Sequence, residues 1–262
     1  MSAAPAEARE ILMPAMRRLQ EGGVASPALD SRLLLGTALG LDRAVLPHET
    51  LAGFDDVAAA MFEAFLNRRL GGEPVSRIRG WREFWTLRLE LASATLDPRP
   101  DSETIVAAAL AATDPGKPCR MLDLGCGTGA LLLACLSERP DATGTGVDIA
   151  SEAVEAAMRN AGKNGLSARA DFVIGDFSDP DVAPGIYDLI LCNPPYIPAG
   201  EIDGLAVEVA CFDPRLALDG GDDGLDCWRA VLPRIAAGLS RGGRACLETV
   251  SYTHLRAHET DR

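Results

Sequence analysis

Histidine is scarce in this sequence. Only His48, His254 and His258 occur, so residues 101–250 contain none. A Ser/His or Cys/His nucleophilic pair, or a histidine-ligated metal, therefore has no histidine to use in that part of the chain. We expect catalysis without a histidine base and without a metal.

The sequence also lacks the marks of secreted and membrane proteins. Its seven cysteines are odd in number and include no C-x-x-C pair, which favours reduced thiols over a disulfide framework or a zinc site. No run of about 18 apolar residues occurs, and the N-terminus has no basic start followed by an apolar stretch. These absences predict a cytoplasmic protein with no membrane partner.

Basic charge is in short supply after residue 100. Residues 1–100 carry 12 basic and 13 acidic side chains, whereas residues 101–250 carry 11 and 23, and the whole chain has a formal charge of −13. An acidic surface repels a phosphate backbone, so nucleic acid is the less favoured partner. The 47% apolar content is typical of a globular protein, and the length of 262 residues allows one large domain or a small domain joined to a medium one.

The first hundred residues have helical periodicity. Apolar residues at helical spacing, with glycines after each segment, predict three helices: 8–19, 27–39 with Ser26 as its N-cap, and 56–70. They would form an N-terminal helical domain over 1–75, which either recognises a substrate or serves only as a packing cap. The alternating segment 81–91 predicts a β-hairpin in a linker over 76–100.

Beyond residue 100 the pattern alternates between strands and helices. Strands are predicted at 120–124, 143–148, 172–174, 189–192 and 245–248, and helices at 102–112, 129–136, 152–161 and 225–239. This order predicts an α/β fold, a doubly wound and mostly parallel Rossmann-like sheet over 101–249. The tail 250–262 has no apolar face, and we interpret it as non-native sequence, with a native polar tail as the alternative.

A glycine-rich turn follows the first predicted strand of this domain. The segment 121–129 reads MLDLGCGTG, so Gly125, Gly127 and Gly129 allow a sharp turn and close approach of a ligand, with Cys126 and Thr128 between them. Gly125, Gly127 and Ala130 also fit the G-x-G-x-x-A pattern of dinucleotide-binding proteins. The turn alone therefore predicts a nucleotide-containing ligand without naming it.

Two acidic positions follow the next strands. Asp148 ends the second strand, where a carboxylate can accept hydrogen bonds from both hydroxyls of a ribose. Its alternative role is to cap the following helix, for which Ser151 is the better-placed residue. Asp176 and Phe177 would contact an adenine by hydrogen bond and stacking, or form an ordinary turn.

The sequence Asn193-Pro194-Pro195-Tyr196 comes directly after an apolar strand. The two prolines fix φ and remove two donors, which leaves the Asn193 side-chain oxygen and the Pro194 carbonyl to hold the two N–H groups of a planar amide or amino group. Such positioning can lower a barrier by about 7–11 kcal/mol, far more than about 1 kcal/mol from each hydrogen bond. Tyr196 could stack on the target group, and the alternative is a rigid turn without function.

In combination, these motifs resemble the HemK/PrmC-type protein-(glutamine-N5) methyltransferases, a class I S-adenosylmethionine-dependent family. The resemblance extends over about residues 8–249 and includes segments at 68–75, 80–84, 98–103 and 208–225. It implies S-adenosyl-L-methionine as cofactor and methyl transfer to the glutamine of the Gly-Gly-Gln motif of peptide chain release factors. It further implies that the N-terminal bundle helps to dock this partner. Separately, we expect the enzyme to be a monomer.

The resemblance assigns the site residues by motif position. The cofactor would lie against Gly125, Cys126, Gly127, Thr128, Gly129, Asp148, Asp176, Phe177 and Asn193. Asn193, Pro194, Pro195 and Tyr196 would hold the glutamine, with Asn193, Pro194 and Tyr196 as catalytic residues.

Two departures from the family accompany these assignments. Asp101-Ser102 stands where the family usually has Glu-Thr, and the C-terminal sheet strands are expected to be missing after Glu248, which would leave one sheet edge uncovered. Three alternatives stay open: a ribosomal-protein glutamine methyltransferase, a nucleic-acid amino-methyltransferase, and a non-catalytic nucleotide-binding module.

Overall fold

The computed structural model describes residues 6–249, and the tail 250–262, predicted to be non-native, lies outside the described residues. The helices are α1 (Ala8–Glu21), α2 (Pro27–Ala38), α3 (Asp56–Leu70), α4 (Val75–Arg79), α5 (Glu103–Ala112), α6 (Ala130–Glu138), α7 (Ser151–Lys163), α8 (Val207–Ala210) and α9 (Asp226–Gly238). The strands are β1 (Ala6–Glu7), β2 (Thr50–Leu51), β3 (Trp81–Phe84), β4 (Leu87–Glu90), β5 (Arg120–Leu124), β6 (Thr143–Asp148), β7 (Ala170–Ile174), β8 (Tyr187–Cys192) and β9 (Leu239–Leu247). Among residues 6–249, no helix combines the length and apolar character needed to cross a bilayer.

The chain divides into two compact units, and the first is helical. It contains the residues up to Arg82 together with Gly204–Asp213. The three helices predicted from periodicity are present, and α3 begins where Asp55 accepts hydrogen bonds from the backbone N–H groups of Val57 and Ala58. Ser26 occupies the N-cap position of α2, as predicted, but its side chain makes no capping hydrogen bond. Pro27 follows at the first helical position, also as predicted, where its fixed φ suits the helix.

Residues 204–213 are tied to the helices of this unit by ion pairs with two buried arginines. Arg69 contacts Asp30 through Nε at 2.7 Å and Glu208 through Nη2 at 2.5 Å. Arg77 contacts Asp213 at 2.8 Å, and both side chains are almost fully buried. Since an unpaired buried charge is costly, these contacts fix the segment against α3 and α4, and Arg69 also joins α3 to α2 through Asp30.

The second unit contains Glu83–Asp203 and the residues from Pro214 onward. Its five-stranded sheet has the order β7-β6-β5-β8-β9, and all four pairings are parallel. Alternate strand residues pack into two apolar clusters, one containing residues of α5, α6 and α7 and the other containing residues of α9. The predicted parallel α/β sheet with both faces covered is therefore confirmed.

The last strand differs from the prediction. β9 begins at Leu239, directly after α9, instead of at residue 245. Its register against β8 shifts between Tyr187 and Leu189, because residues 240–243 form an irregular stretch with Gly242 at φ +87°. Because two consecutive glycines interrupt the apolar pattern in this stretch, the start of the strand could not be predicted from the sequence. Within residues 6–249, β9 pairs with a strand on one side only.

Candidate active site

A cavity of about 250 Å³ opens at the carboxyl ends of the central strands of the second unit. β5, β6 and β8 are neighbours in parallel register, so the residues that follow Leu124, Val147 and Cys192 meet at one edge of the sheet. This edge is where open parallel sheets bind ligands. Nine predicted site residues line the cavity: Gly125, Cys126, Gly127, Thr128, Asp148, Asp176, Phe177, Asn193 and Pro195.

Three predicted site residues do not line it: Gly129, Pro194 and Tyr196. Gly129 is at the N-cap of α6 with φ +78°, and a Cβ there would lie 3.1 Å from Leu133 and 3.3 Å from Ala157. Its glycine identity is therefore explained by backbone conformation and packing. The proposed roles of Pro194 and Tyr196 toward a substrate stay predictions.

The glycine turn is held by backbone hydrogen bonds at its base. The N–H groups of Gly125 and Cys126 both donate to the Val147 carbonyl at 2.9 Å, and Gly129 N–H donates to the Cys126 carbonyl at 2.7 Å. Gly127, with φ +53°, has open space where a Cβ would be. The loop therefore leaves room beside its backbone for a ligand.

Asp148 links the glycine turn to the start of α7. Its carboxylate accepts hydrogen bonds from Gly127 N–H at 2.8 Å and Ala150 N–H at 3.0 Å, one on each oxygen. Burial raises the pKa of Asp148, and the backbone donors oppose that rise. The predicted cap, Ser151, is instead the first residue of α7, and the N-cap residue Ala150 has no side-chain bond. Asp148 remains able to accept further hydrogen bonds on both oxygens.

Asp176 and Phe177 line the same cavity and also form a local turn. Asp176 Oδ1 accepts hydrogen bonds from Ser178 N–H at 2.8 Å and from Ser178 Oγ at 2.7 Å. The Phe177 ring lies 3.9 Å from the position of a Cβ at Gly125. The turn and the predicted adenine contacts are therefore compatible, since the second oxygen of Asp176 makes no hydrogen bond with Ser178.

The diproline segment is fixed on both sides. Asn193 Nδ2 donates to Glu248 Oε2 at 2.9 Å. Downstream, Ile197 N–H donates to the Leu218 carbonyl and Gly220 N–H donates to the Ile197 carbonyl, at 3.0 and 2.9 Å. Gly224, with φ +76°, packs so closely that a Cβ there would lie 2.5 Å from the Tyr196 carbonyl oxygen. The loop therefore depends on glycine at this position.

Asp123 is a buried carboxyl group on the wall of the cavity that sequence reasoning did not identify. Its Oδ2 accepts a hydrogen bond from Leu132 N–H at 3.3 Å, while Oδ1 has no partner. Burial raises its pKa to about 7, with a smaller contribution from Asp148. The sequence feature that could have identified Asp123 is the presence of an aspartate within the otherwise apolar strand segment MLDL.

Other lining residues were also missed, among them Phe84, Arg99, Ser102, Leu216, Asp219 and Cys227. Ser102 Oγ donates to the same Glu248 oxygen as Asn193 does. The available sequence signal for Glu248 was its position at the end of the strand predicted at 245–248, because Asn193 also follows directly on a predicted strand. All seven cysteines are free thiols, and burial raises the pKa of Cys126 and Cys192.

Comparison with known proteins identifies the family. A methyltransferase domain family matches residues 115–255, and a PrmC N-terminal domain family matches residues 10–80. A release factor glutamine methyltransferase from Rhodospirillum rubrum is 46% identical, with 93% of this chain and 76% of that protein covered. One from Bradyrhizobium diazoefficiens is 44% identical, with 88% and 78% covered.

A third relative, from Caulobacter vibrioides, is 40% identical over 92% of this chain and 83% of its own length, and it is also named release factor glutamine methyltransferase. Among solved structures, an O-methyltransferase family protein from Burkholderia thailandensis is 19% identical, with a TM-score of 0.42 over 61% of this chain and 41% of that chain. The resemblance expected from the motifs is confirmed by the relatives. The chain belongs to the family of release factor glutamine methyltransferases.

Proposed function

We propose that this enzyme transfers a methyl group from S-adenosylmethionine to the side-chain amide nitrogen N5 of the glutamine in the Gly-Gly-Gln motif of a peptide chain release factor. The observation that carries this proposal is the convergence of the glycine turn, Asp148 and Asn193 on one cavity in a chain of this family. Its place of action would be the cytoplasm, where translation terminates.

The residues at the cavity suit this cofactor. Gly127 leaves open space beside the backbone, and Asp148 keeps free acceptor positions for ribose hydroxyls. Four carboxyl groups line the cavity, those of Asp123, Asp148, Asp176 and Asp219, and Asp123 has a buried oxygen without a partner. An acidic lining favours a cationic ligand. When bound, S-adenosylmethionine supplies an activated methyl group on a sulfonium sulfur.

The chain's own residues would position the substrate amide. Asn193 Oδ1 and the Pro194 carbonyl would accept the two N–H groups of the glutamine, which aims the nitrogen lone pair away from them. Tyr196 would stack on the planar amide. Positioning of this kind can contribute about 7–11 kcal/mol toward the barrier, and no histidine base is needed because the methylated nitrogen is acidic enough to lose its proton afterwards.

Two further parts of the proposal concern partners. The helical region 1–75 would dock the release factor, with 76–100 as linker and 101–249 as the methyltransferase domain. We expect a monomer. Because the residues after 100 are strongly acidic, we also expect it to act on protein rather than on nucleic acid. Light scattering tests the monomeric state, and retention on DNA or RNA at physiological salt tests for nucleic-acid binding.

The direct test is methyl transfer to a purified release factor from a labelled donor. Wild-type enzyme should label the Gly-Gly-Gln glutamine, and Asn193→Ala should lose most of the activity while still binding S-adenosylhomocysteine. Labelling of a ribosomal protein instead would assign the other glutamine substrate. Transfer that survives Asn193→Ala would contradict the role given to that side chain.

A further inference from the structure

Glu248 stands beside Asn193 where two paired strands end. β8 and β9 run in parallel with Cys192 opposite Leu247. The Glu248 N–H donates to the Cys192 carbonyl at 3.0 Å, which carries the pairing to the last residue before the cavity. Asn193 and Glu248 therefore leave the sheet side by side, and their side chains meet.

One oxygen of Glu248 accepts two side-chain hydrogen bonds. Oε2 receives Asn193 Nδ2 at 2.9 Å and Ser102 Oγ at 2.5 Å. Ser102 is buried at the start of α5, so the carboxylate is held from a second element. Because a carboxylate accepts hydrogen bonds and does not donate them, it fixes the Asn193 amide with its nitrogen toward Glu248. The Oδ1 atom must then point away from Glu248.

We propose that Glu248 is a positioning residue for methyl transfer: it selects the one orientation of the Asn193 amide that offers Oδ1 to the substrate. The inference rests on the proposed function, since the orientation matters only if Oδ1 accepts an N–H from the substrate amide. A rotation of the amide by half a turn would place Oδ1 against the carboxylate. Hydrogen bonds to a charged acceptor are about twice as strong as neutral ones, so this state is strongly disfavoured.

Removal of the carboxylate should leave the Asn193 amide free to rotate. For Glu248→Ala we expect kcat on the release factor to fall about tenfold or more, with KM for the cofactor changed by less than about twofold. Glu248→Gln keeps one oxygen that can accept from both Asn193 and Ser102, so its kcat should fall less. Glu201→Gln, at an exposed carboxylate outside the cavity lining, is the control and should retain wild-type activity.

Two substitutions that together reverse the direction of the hydrogen bond between positions 193 and 248 distinguish a positioning role from a merely structural one. Asn193→Asp alone would set two carboxylates against each other. When Asn193→Asp is combined with Glu248→Gln, the new amide nitrogen at position 248 can donate to the new carboxylate at position 193. The other carboxylate oxygen at position 193 then stays available to the substrate, as Oδ1 is in the wild type. We expect the double variant to have a kcat about tenfold above that of Asn193→Asp alone.

The outcomes distinguish the two proposals. Wild-type enzyme that binds S-adenosylhomocysteine but methylates no release factor would overturn the proposed function and this inference with it. An active wild type with equal kcat for Asn193→Asp and the double variant would overturn the inference alone. A Glu248→Ala variant with wild-type kcat would do the same. Thermal melts of every variant check that the compared proteins are folded.

Discussion

Asn160 on α7 donates from Nδ2 to the carbonyl oxygen of Thr128 in the glycine turn, at 3.0 Å. The same side chain also accepts from Glu90 N–H at 2.7 Å and donates to the Glu90 carbonyl at 3.1 Å. Asn160 is fully buried. One amide thus joins strand β4, helix α7 and the loop that borders the cavity, and it satisfies three backbone groups.

We expect Asn160→Ala to destabilise the protein by about 2–4 kcal/mol, because backbone groups of Thr128 and Glu90 would lose their partners in a buried place. The affinity for S-adenosylhomocysteine should fall as well, since Thr128 would no longer be fixed. Denaturant unfolding and calorimetry measure the two effects. Asn67→Ala, at an exposed asparagine in α3, is the matched control and should change the free energy of unfolding by less than about 0.5 kcal/mol. Equal losses in both variants would contradict the linking role.

The carboxylate of Asp148 offers a second prediction, on cofactor affinity. An asparagine can accept from only one of Gly127 N–H and Ala150 N–H, and its NH₂ group would face the other donor. We therefore expect Asp148→Asn to weaken S-adenosylhomocysteine binding by about tenfold to a hundredfold. In Asp176→Asn the side-chain oxygen can keep both bonds to Ser178, so the loss should be only a few-fold. Calorimetric titration of both variants gives the ranking, and the reverse order would contradict it.

The buried carboxyl of Asp123 should make stability depend on pH. Its pKa is raised to about 7 in the folded protein from an ordinary value of 3.8, so the folded state binds more protons than the unfolded state between these values. Stability therefore falls as pH rises through this window, by at most about 1.4 kcal/mol per pH unit, and the effect levels off above pH 7.

Asp123→Asn removes this titration while an oxygen remains for Leu132 N–H. The stability of the variant relative to wild type should rise from pH 5 to about pH 7 and then stay constant, as followed by thermal or denaturant unfolding in a pH series. Asp114→Asn is the control, because backbone and Lys117 contacts lower the pKa of that exposed carboxyl and move its titration below the measured range. A constant difference between Asp123→Asn and wild type across the series would show that Asp123 does not titrate there.

Sequence patterns predicted most of the site because parallel strands bring their carboxyl ends together. Gly125, Asp148 and Asn193 each lie at or just after the end of a strand, and β5, β6 and β8 prove to be neighbours. The bounds of α3 could be predicted because Asp55 and Gly71 mark its ends. These features depend on local chemistry and on a topology that the alternation of elements already implies.

The features that could not be predicted from the sequence depend on contacts between residues far apart in the chain. The bond between Asn193 and Glu248 joins residues 55 positions apart, and it follows from a β8–β9 register that includes an irregular stretch at residues 240–243. Asn160 occurs in a helix rich in alanine, where its burial could be expected but its three partners could not. Residues 204–213 likewise belong to the helical unit, where they pair with residues more than a hundred positions away in the sequence.

The ion pairs of Arg69 lead to the last prediction. In Arg69→Met, Asp30 stays buried without its cation, which should cost about 3–5 kcal/mol in the free energy of unfolding. Asp30→Asn in the same chain removes the buried charge and should restore part of the loss. Arg18→Met is the matched control, since its partner Glu63 is exposed, and it should cost less than about 1 kcal/mol.

Burial already raises the pKa of Asp30 with Arg69 present, so the loss in Arg69→Met should shrink as the pH falls and Asp30 takes up a proton. An equal loss in Arg69→Met and Arg18→Met, constant with pH, would mean that the pair contributes no more than a surface contact.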